Sequence, residues 1–450
     1  MKDYSPLQKA FEKIATPFEH FIHGQATSGL VLVFMTILAL IIANTLLYDS
    51  YLHIIHTKID FNVGDWKLSH SLHHWINDGL MAVFFFLVGL EIKREILIGE
   101  LSSVKAAILP IIAAIGGMVV PALIFLALNS GSIGENGWGI PMATDIAFAI
   151  TALVLLGKKV SKPLVTFLTA LAIVDDLGAV IVIAMFYTQE IQMMALALAA
   201  LSFGVLILFN LLGIRSILPY FIVGIFLWFF MLESGVHATI AGVLAALTIP
   251  LRPKTPPVMF TNHTRNLLDE FDCYPVTTDH VMHEKQKALL QNIKDKIDSV
   301  SSPAAILEHS LHLPVGLVII PIFALANAAI AIDFSSIGES LFSEVSLGII
   351  FGLIFGKIIG VFGVSFIAIK LGVAQLPQKT TLSQIFGVAA LAGIGFTMSI
   401  FVSDLAFLGD ATLVFQAKVG ILVASLFSGF FGYYWLSTIA YKTIPDQDGN

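Results

Sequence analysis

The chain has 450 residues, 57% of them hydrophobic and 12% charged, with a net charge of -7 and a mean hydropathy of +0.89. Soluble domains average about 25% charged residues, so the composition excludes a soluble globular protein and specifies a polytopic membrane protein. The single cysteine, Cys273, excludes an intrachain disulfide and a thiolate metal cluster.

Residues 1–27 precede the first apolar run. Lys2, Asp3, Lys9, Glu12, Lys13 and Glu19 are interspersed with apolar residues there, and no cleavable apolar core precedes a small-residue site. The pattern predicts an amphipathic helix on the membrane surface. After it the hydropathy predicts about twelve spans, at 28–47, 75–98, 106–128, 138–156, 163–187, 193–212, 216–232, 235–250, 313–332, 346–369, 383–407 and 413–437. Transmembrane regions 28–250 and 313–437 thus flank a polar insertion, 251–312, and a tail, 438–450, ends the chain.

Lysine and arginine concentrate in alternate loops. Lys93, Arg94 and Lys105 follow span two, Lys158, Lys159 and Lys162 span four, and Arg252 and Lys254 span eight. The intervening loops 129–137, 188–192 and 333–345 have none, and only Lys58 and Lys67 in the first outer loop break the pattern. Basic loops stay in the cytoplasm, so both termini are expected there.

The informative residues are the polar ones within apolar spans. Asp78 opens span two and is either an interfacial cap or a carboxylate of a cation funnel. Near it His53, His56, His70, His73 and His74 form an outer group, expected in a hydrated loop. At the inner end of span two Glu91, Lys93, Arg94 and Glu95 crowd together, and Glu308, His309 and His312 are expected just before span nine on the same side. Histidine titrates near neutrality, so these form a candidate pH-sensing cluster, or else solvated interfacial charge.

In span four, Pro141 removes a backbone donor and disfavours helix at the preceding residue. Thr144 and Asp145 follow at once, placed to satisfy a broken helix or coordinate an ion. In span five Asp175 and Asp176 sit at the midpoint of the uncharged run Leu164–Tyr187, about 36 Å long as a helix. A charge at that depth costs roughly 3 kcal/mol or more. Neighbouring carboxylates resist simultaneous ionisation and titrate as a coupled pair, and small hard cations favour oxygen ligands. The pair therefore predicts proton or cation chemistry, against a purely structural network. His237 starts span eight as a candidate buried hydrogen-bonder. In the insertion, Ala288, Leu289, Ile293 and Ile297 have the spacing of an amphipathic helix. Lys357 lies mid-span among glycines, a counter-ion for an acid. Gly393, Gly395, Thr397 and Ser399 predict a second interrupted helix in span eleven, and two interrupted helices in separate halves point to inverted repeats.

Several of these stretches strongly resemble NhaA-type sodium/proton antiporters. They are Trp75 to Glu95, Pro141 to Phe148, Ala172 to Ala179, Ser234 to Thr239 and Gly393 to Ile400, and the resemblance runs from about Phe21 to Leu436. It implies an all-α fold of twelve spans with inverted-topology repeats, two crossing interrupted helices and cytoplasmic termini in a bacterial inner membrane. By resemblance, Asp175 and Asp176 bind Na+ or Li+ and carry the exchanged protons. Asp145 and Lys357 balance the facing half-helix ends, with Thr144 and Thr397 as site support. The resemblance implies electrogenic exchange of two protons for each sodium ion, switched on at alkaline cytoplasmic pH through Glu91, Glu95, Glu308 and His312. It implies a homodimer formed through a hairpin that includes Lys58 to Lys67. No enzymatic activity, cofactor or nucleic-acid partner is expected; the ligands are Na+, Li+ and H+, and the surroundings lipid. The stretch 255–300 departs from the family pattern as an insertion, and Asp404 is a further acid outside it, expected near the outer end of span eleven.

Three other classes fit the composition less well. A Na+-coupled symporter of a small organic solute needs a roomier polar cavity than this short set of polar residues lines. An intramembrane aspartyl protease needs two acids on different helices, typically with a Gly-x-Gly-Asp motif. A channel is disfavoured by an asymmetric site with a buried lysine.

Overall fold

Inside a bilayer no water is available to pair backbone N–H and C=O groups, so an apolar run satisfies them within a helix. The computed structural model, which describes residues 27–63, 66–188, 191–253, 255, 257–274, 284–331 and 337–439, is accordingly mostly helical. Among the described residues, seven helices are long and apolar enough to cross a membrane: Val104–Asn129, Glu135–Val154, Lys162–Phe186, Met193–Leu211, Pro303–Asn327, Glu344–Lys370 and Ala411–Thr438. Two bent pairs raise the number to nine. Thr27–Ala43 turns by 113° into Tyr48–Ile55, and Leu382–Leu391 turns by 47° into Phe396–Ala406. Shorter helices, Met81–Leu97, Ile217–Glu233 and Thr239–Thr248, occupy other expected spans. The sheet among the described residues is one antiparallel hairpin, Lys58–Val63 with Trp66–Ser71. The expected N-terminal surface helix and the residues from 440 onward lie outside the described residues.

Three boundaries differ from the sequence reading. Span nine was expected to start at 313, but its helix begins at Pro303, capped by the Ser302 hydroxyl accepting from Ala305 N. Glu308 and His312 therefore ride on that helix. Span eight was expected from 235, yet Gly235 adopts φ +79° and the helix starts only at Thr239. Span one ends at Ala43, not 47. In the insertion, helix Glu284–Val300 packs on Pro257–Asp272. Leu289 is buried and Ile293 half-buried on that face, but Ala288 and Ile297 are exposed.

Lys357 is placed by glycine. Gly352, Gly356 and Gly360 recur every fourth residue, on one face of Glu344–Lys370. A Cβ at Gly352 would lie 2.7 Å from Pro141 Cβ, and one at Gly356 2.7 Å from Pro121 Cα. One at Gly360 would strike the Gly116 carbonyl oxygen. The glycines thus let this helix approach Val104–Asn129 backbone to backbone. Lys357 sits between two π-helical turns, Gly352–Gly356 and Ile358–Gly363, a local widening common at functional positions. Gly360→Leu is expected to lower stability by more than the roughly 1–3 kcal/mol of ordinary overpacking. Thermal melting in detergent checks it against Gly204→Leu, where an added Cβ meets nothing within 4 Å and no loss is expected.

Candidate cation and proton site

Two interrupted helices meet in the interior. In the first, a 3-10 turn, Glu135–Met142, leads through extended residues at Asp145 into the half-helix Ile146–Val154. Asp145 is its N-cap, accepting from Phe148 N at 3.1 Å. In the second, Ala392 to Gly395 separate Leu382–Leu391 from Phe396–Ala406. The breaks leave backbone groups unpaired, and polar partners from the other chain segments meet them. Asp145 N donates to Ile394 O at 2.6 Å. Ser399 Oγ donates to Ile140 O at 2.8 Å, and Ser425 Oγ accepts from Phe396 N at 3.2 Å. The second Asp145 carboxylate oxygen accepts from Thr397 N at 3.0 Å and from the Thr397 hydroxyl. One carboxylate thus stands at the N-termini of two half-helices, where their dipoles favour negative charge.

Asp175 and Asp176 project from the unbroken helix Lys162–Phe186, and each is 1% exposed. Lys357 is fully buried, with its Nζ 2.7 Å from Asp175 Oδ2. The Thr144 hydroxyl lies 2.9 Å from that same oxygen and 2.9 Å from Ala392 O. A hydroxyl has one proton to donate, so it serves one acceptor at a time. Asp175 Oδ1 and both Asp176 oxygens are buried with no hydrogen-bond partner in the protein. Burying such acceptors unpaired is costly. A proton or a small hard cation would relieve that cost, and both cannot occupy the same oxygens.

A cavity approaches from each end. At the end opposite the hairpin, one of about 520 Å3 is lined by Glu95, Thr166, Thr169 and Ala170. Ala170 is five residues from Asp175, about 7.5 Å along the helix. At the hairpin end, one of about 590 Å3 is lined by Asp78, His237, Phe401 and Asp404.

The structure brings Glu91, Glu95, Glu308 and His312 to the same end. Arg94 bridges Glu95 and Glu308 at 3.0 Å each, the Glu91 and Glu308 charges interact, and exposed His312 acts on Glu308. Lys93 donates to Leu247 O at 2.7 Å and to Ile249 O at 2.5 Å, capping the end of helix Thr239–Thr248. Asp78 lies at the other end, 3.2 Å from His74 Nδ1, and its carbonyl accepts from the Trp228 indole at 3.0 Å. Of the outer histidines, His53 and His56 are exposed as expected of a hydrated loop, while His70, His73 and His74 are half-buried. His73 reaches Asn327 Oδ1 at 2.9 Å, His70 stacks on His74, and burial pulls the pKa of His70 and His73 down. No group of three or more metal-ligating side chains occurs among the described residues. His237 hydrogen-bonds Tyr187 O at 2.8 Å, as expected, but is half-buried and not buried.

Residues 19–436 match the family model described as "Na+/H+ antiporter 1". The chain belongs to that antiporter family. It is 64% identical to the "Na(+)/H(+) antiporter NhaA" of Sulfurimonas denitrificans, over 98% of this chain and 99% of that one. It is 48% identical to "Na(+)/H(+) antiporter NhaA 1" of Saccharophagus degradans, over 95% and 93% of the two chains. It is also 48% identical to the "Na(+)/H(+) antiporter NhaA" of Dichelobacter nodosus, over 97% and 94%. Relatives named as antiporters are transporters, and the membrane-spanning helices fit that class. Of the residues that hold this family member's broken helices, Ser425 was missed by sequence reasoning. A lone serine in an apolar span carries no periodic or motif signal, and only its place opposite Phe396 reveals its part.

Proposed function

We propose that this protein is a secondary-active antiporter that expels Na+ or Li+ in exchange for protons at Asp175 and Asp176. The observation that carries the reading is the three buried, unpartnered oxygens of that pair beside Lys357. With the pair protonated, its oxygens are neutral and Na+ affinity is low. Arrival of Na+ favours the ionised pair and expels protons, so competition for one set of oxygens couples the two flows. The cation also competes with the Lys357 ammonium for Asp175. Alternating access follows when the region around the crossed half-helices rearranges to join the site to one cavity or the other. Asp145 stays ionised as the shared cap of both half-helices, with Thr144 and Thr397 as support.

The same reading includes twelve spans in inverted-topology repeats, cytoplasmic termini and a multi-pass location in the bacterial inner membrane. Exchange is electrogenic. Glu91, Glu95, Glu308 and His312 switch activity on at alkaline pH, a role supported by their gathering around Arg94, and Asp78 draws cations into the outer cavity. A homodimer forms through the hairpin that begins at Lys58. The ligands are Na+, Li+ and H+, with no cofactor.

Proton flux in reconstituted or everted vesicles, titrated with Na+, Li+ and K+ over pH values around the neutral-to-alkaline range of histidine, tests the function. The expected result is collapse of a pH gradient by Na+ or Li+ but not K+, stronger at alkaline pH. Solute-dependent current without Na+-driven proton flux would favour a symporter instead.

A further inference from the structure

The cavity at the hairpin end contains an ion pair for which the exchange mechanism has no use so far. Lys418 Nζ lies 3.2 Å from Asp404 Oδ1, with the two side chains 15% and 14% exposed. Asp404 Oδ2 is buried and has no hydrogen-bond partner. This repeats the arrangement at the centre, where Lys357 holds one oxygen of Asp175 and leaves the other unpartnered.

Asp404 belongs to the half-helix Phe396–Ala406, whose first turn carries Thr397. Seven residues make about two turns, so Thr397 and Asp404 share a helix face about 10.5 Å apart along the axis. Phe401 lies between them, 1% exposed, with its ring centroid 5.7 Å from that of Phe85 and 6.1 Å from that of Phe323. One face of this half-helix therefore runs from the Asp145 contact, past an aromatic step, to a carboxylate in the cavity.

We propose that Asp404 is a staging group for Na+ on the outer side, held in reserve by Lys418. The proposal rests on the antiport reading. A cation entering the cavity pairs with the unpartnered Asp404 oxygen and displaces the Lys418 ammonium. A cation leaving the central site past Phe401 meets the same carboxylate next. Asp404 thus sets the affinity for Na+ at the outer face without touching the exchange at Asp175 and Asp176. The competing role is a clamp that only joins Phe396–Ala406 to Ala411–Thr438.

Right-side-out and inside-out vesicles, each assayed for Na+-dependent proton flux, separate the two roles. Asp404→Asn is expected to raise the half-saturating Na+ concentration at the outer face about tenfold, the lower end of what a charged cleft contributes, with the inner-face value and maximal rate unchanged. Lys418→Met removes the competitor and is expected to lower the outer-face value. A clamp would move both variants in the same direction and affect both faces alike. An outer-face value within about twofold of the unaltered protein in Asp404→Asn would overturn the proposal. Should that variant not fold, the sign of the Lys418→Met shift decides alone: an unchanged or raised outer-face value overturns it. If the unaltered protein shows no Na+-dependent flux, antiport itself fails.

Discussion

Asp176→Asn is expected to reduce Na+-driven proton flux to the level of empty vesicles while the protein still folds and inserts. Asparagine keeps the shape of aspartate but removes one negative charge and one titratable proton from the site. A unit charge near a cation is worth about 4 kcal/mol even at an effective dielectric of about 20, close to a thousandfold in affinity. The fold should not suffer, because neither Asp176 oxygen holds a protein partner and a buried neutral amide costs less than a buried carboxylate. Melting in detergent should therefore give a Tm equal to or above that of the unaltered chain. Robust dissipation of a pH gradient by Na+ in vesicles of this variant would remove Asp176 from the site.

Lys357→Met should act in the opposite sense, on stability first. Its ammonium and the Asp175 carboxylate are both fully buried, 2.7 Å apart. Removing one partner of such a pair leaves the other charge uncompensated, typically at about 3–5 kcal/mol. A loss of that size is expected in melting or denaturant titration. The double variant Asp175→Asn with Lys357→Met should recover most of it, because no unpaired charge is left. Equal losses in the single and double variants would mean that packing in the glycine-lined cleft, and not the charge, sets the cost.

The apolar runs declared the helices, since length and hydropathy decide which segments enter a bilayer. Asp175, Asp176 and Lys357 announced themselves as charges where charge is expensive. Pro141 marked one broken helix, and Gly393 and Gly395 the other. Long-range pairing was not legible: Lys357 and Asp175 are 182 positions apart, and nothing local links them. Glu308, His309 and Ser310 disguised the early start of the ninth span as loop. A signal was present there, because Ser302 before Pro303 is a cap followed by proline at the first helical position. The π-helical turns flanking Lys357 follow from packing between helices and leave no mark in residue order. Asp404 was visible as an extra acid, but Lys418 and the shared cavity emerged only from the fold.

The central claim is that protons and Na+ compete for the oxygens of Asp175 and Asp176. Its most direct test is the apparent Na+ dissociation constant of the purified protein, measured by calorimetry at a series of pH values. Competition predicts that the constant rises, with each unit of falling pH, about tenfold for every proton the cation displaces, hence up to about a hundredfold where both carboxylates are protonated, with unchanged capacity at saturation. Each Na+ bound should release protons in measurable number. A dissociation constant that stays level across the series, with no proton release, would contradict the account.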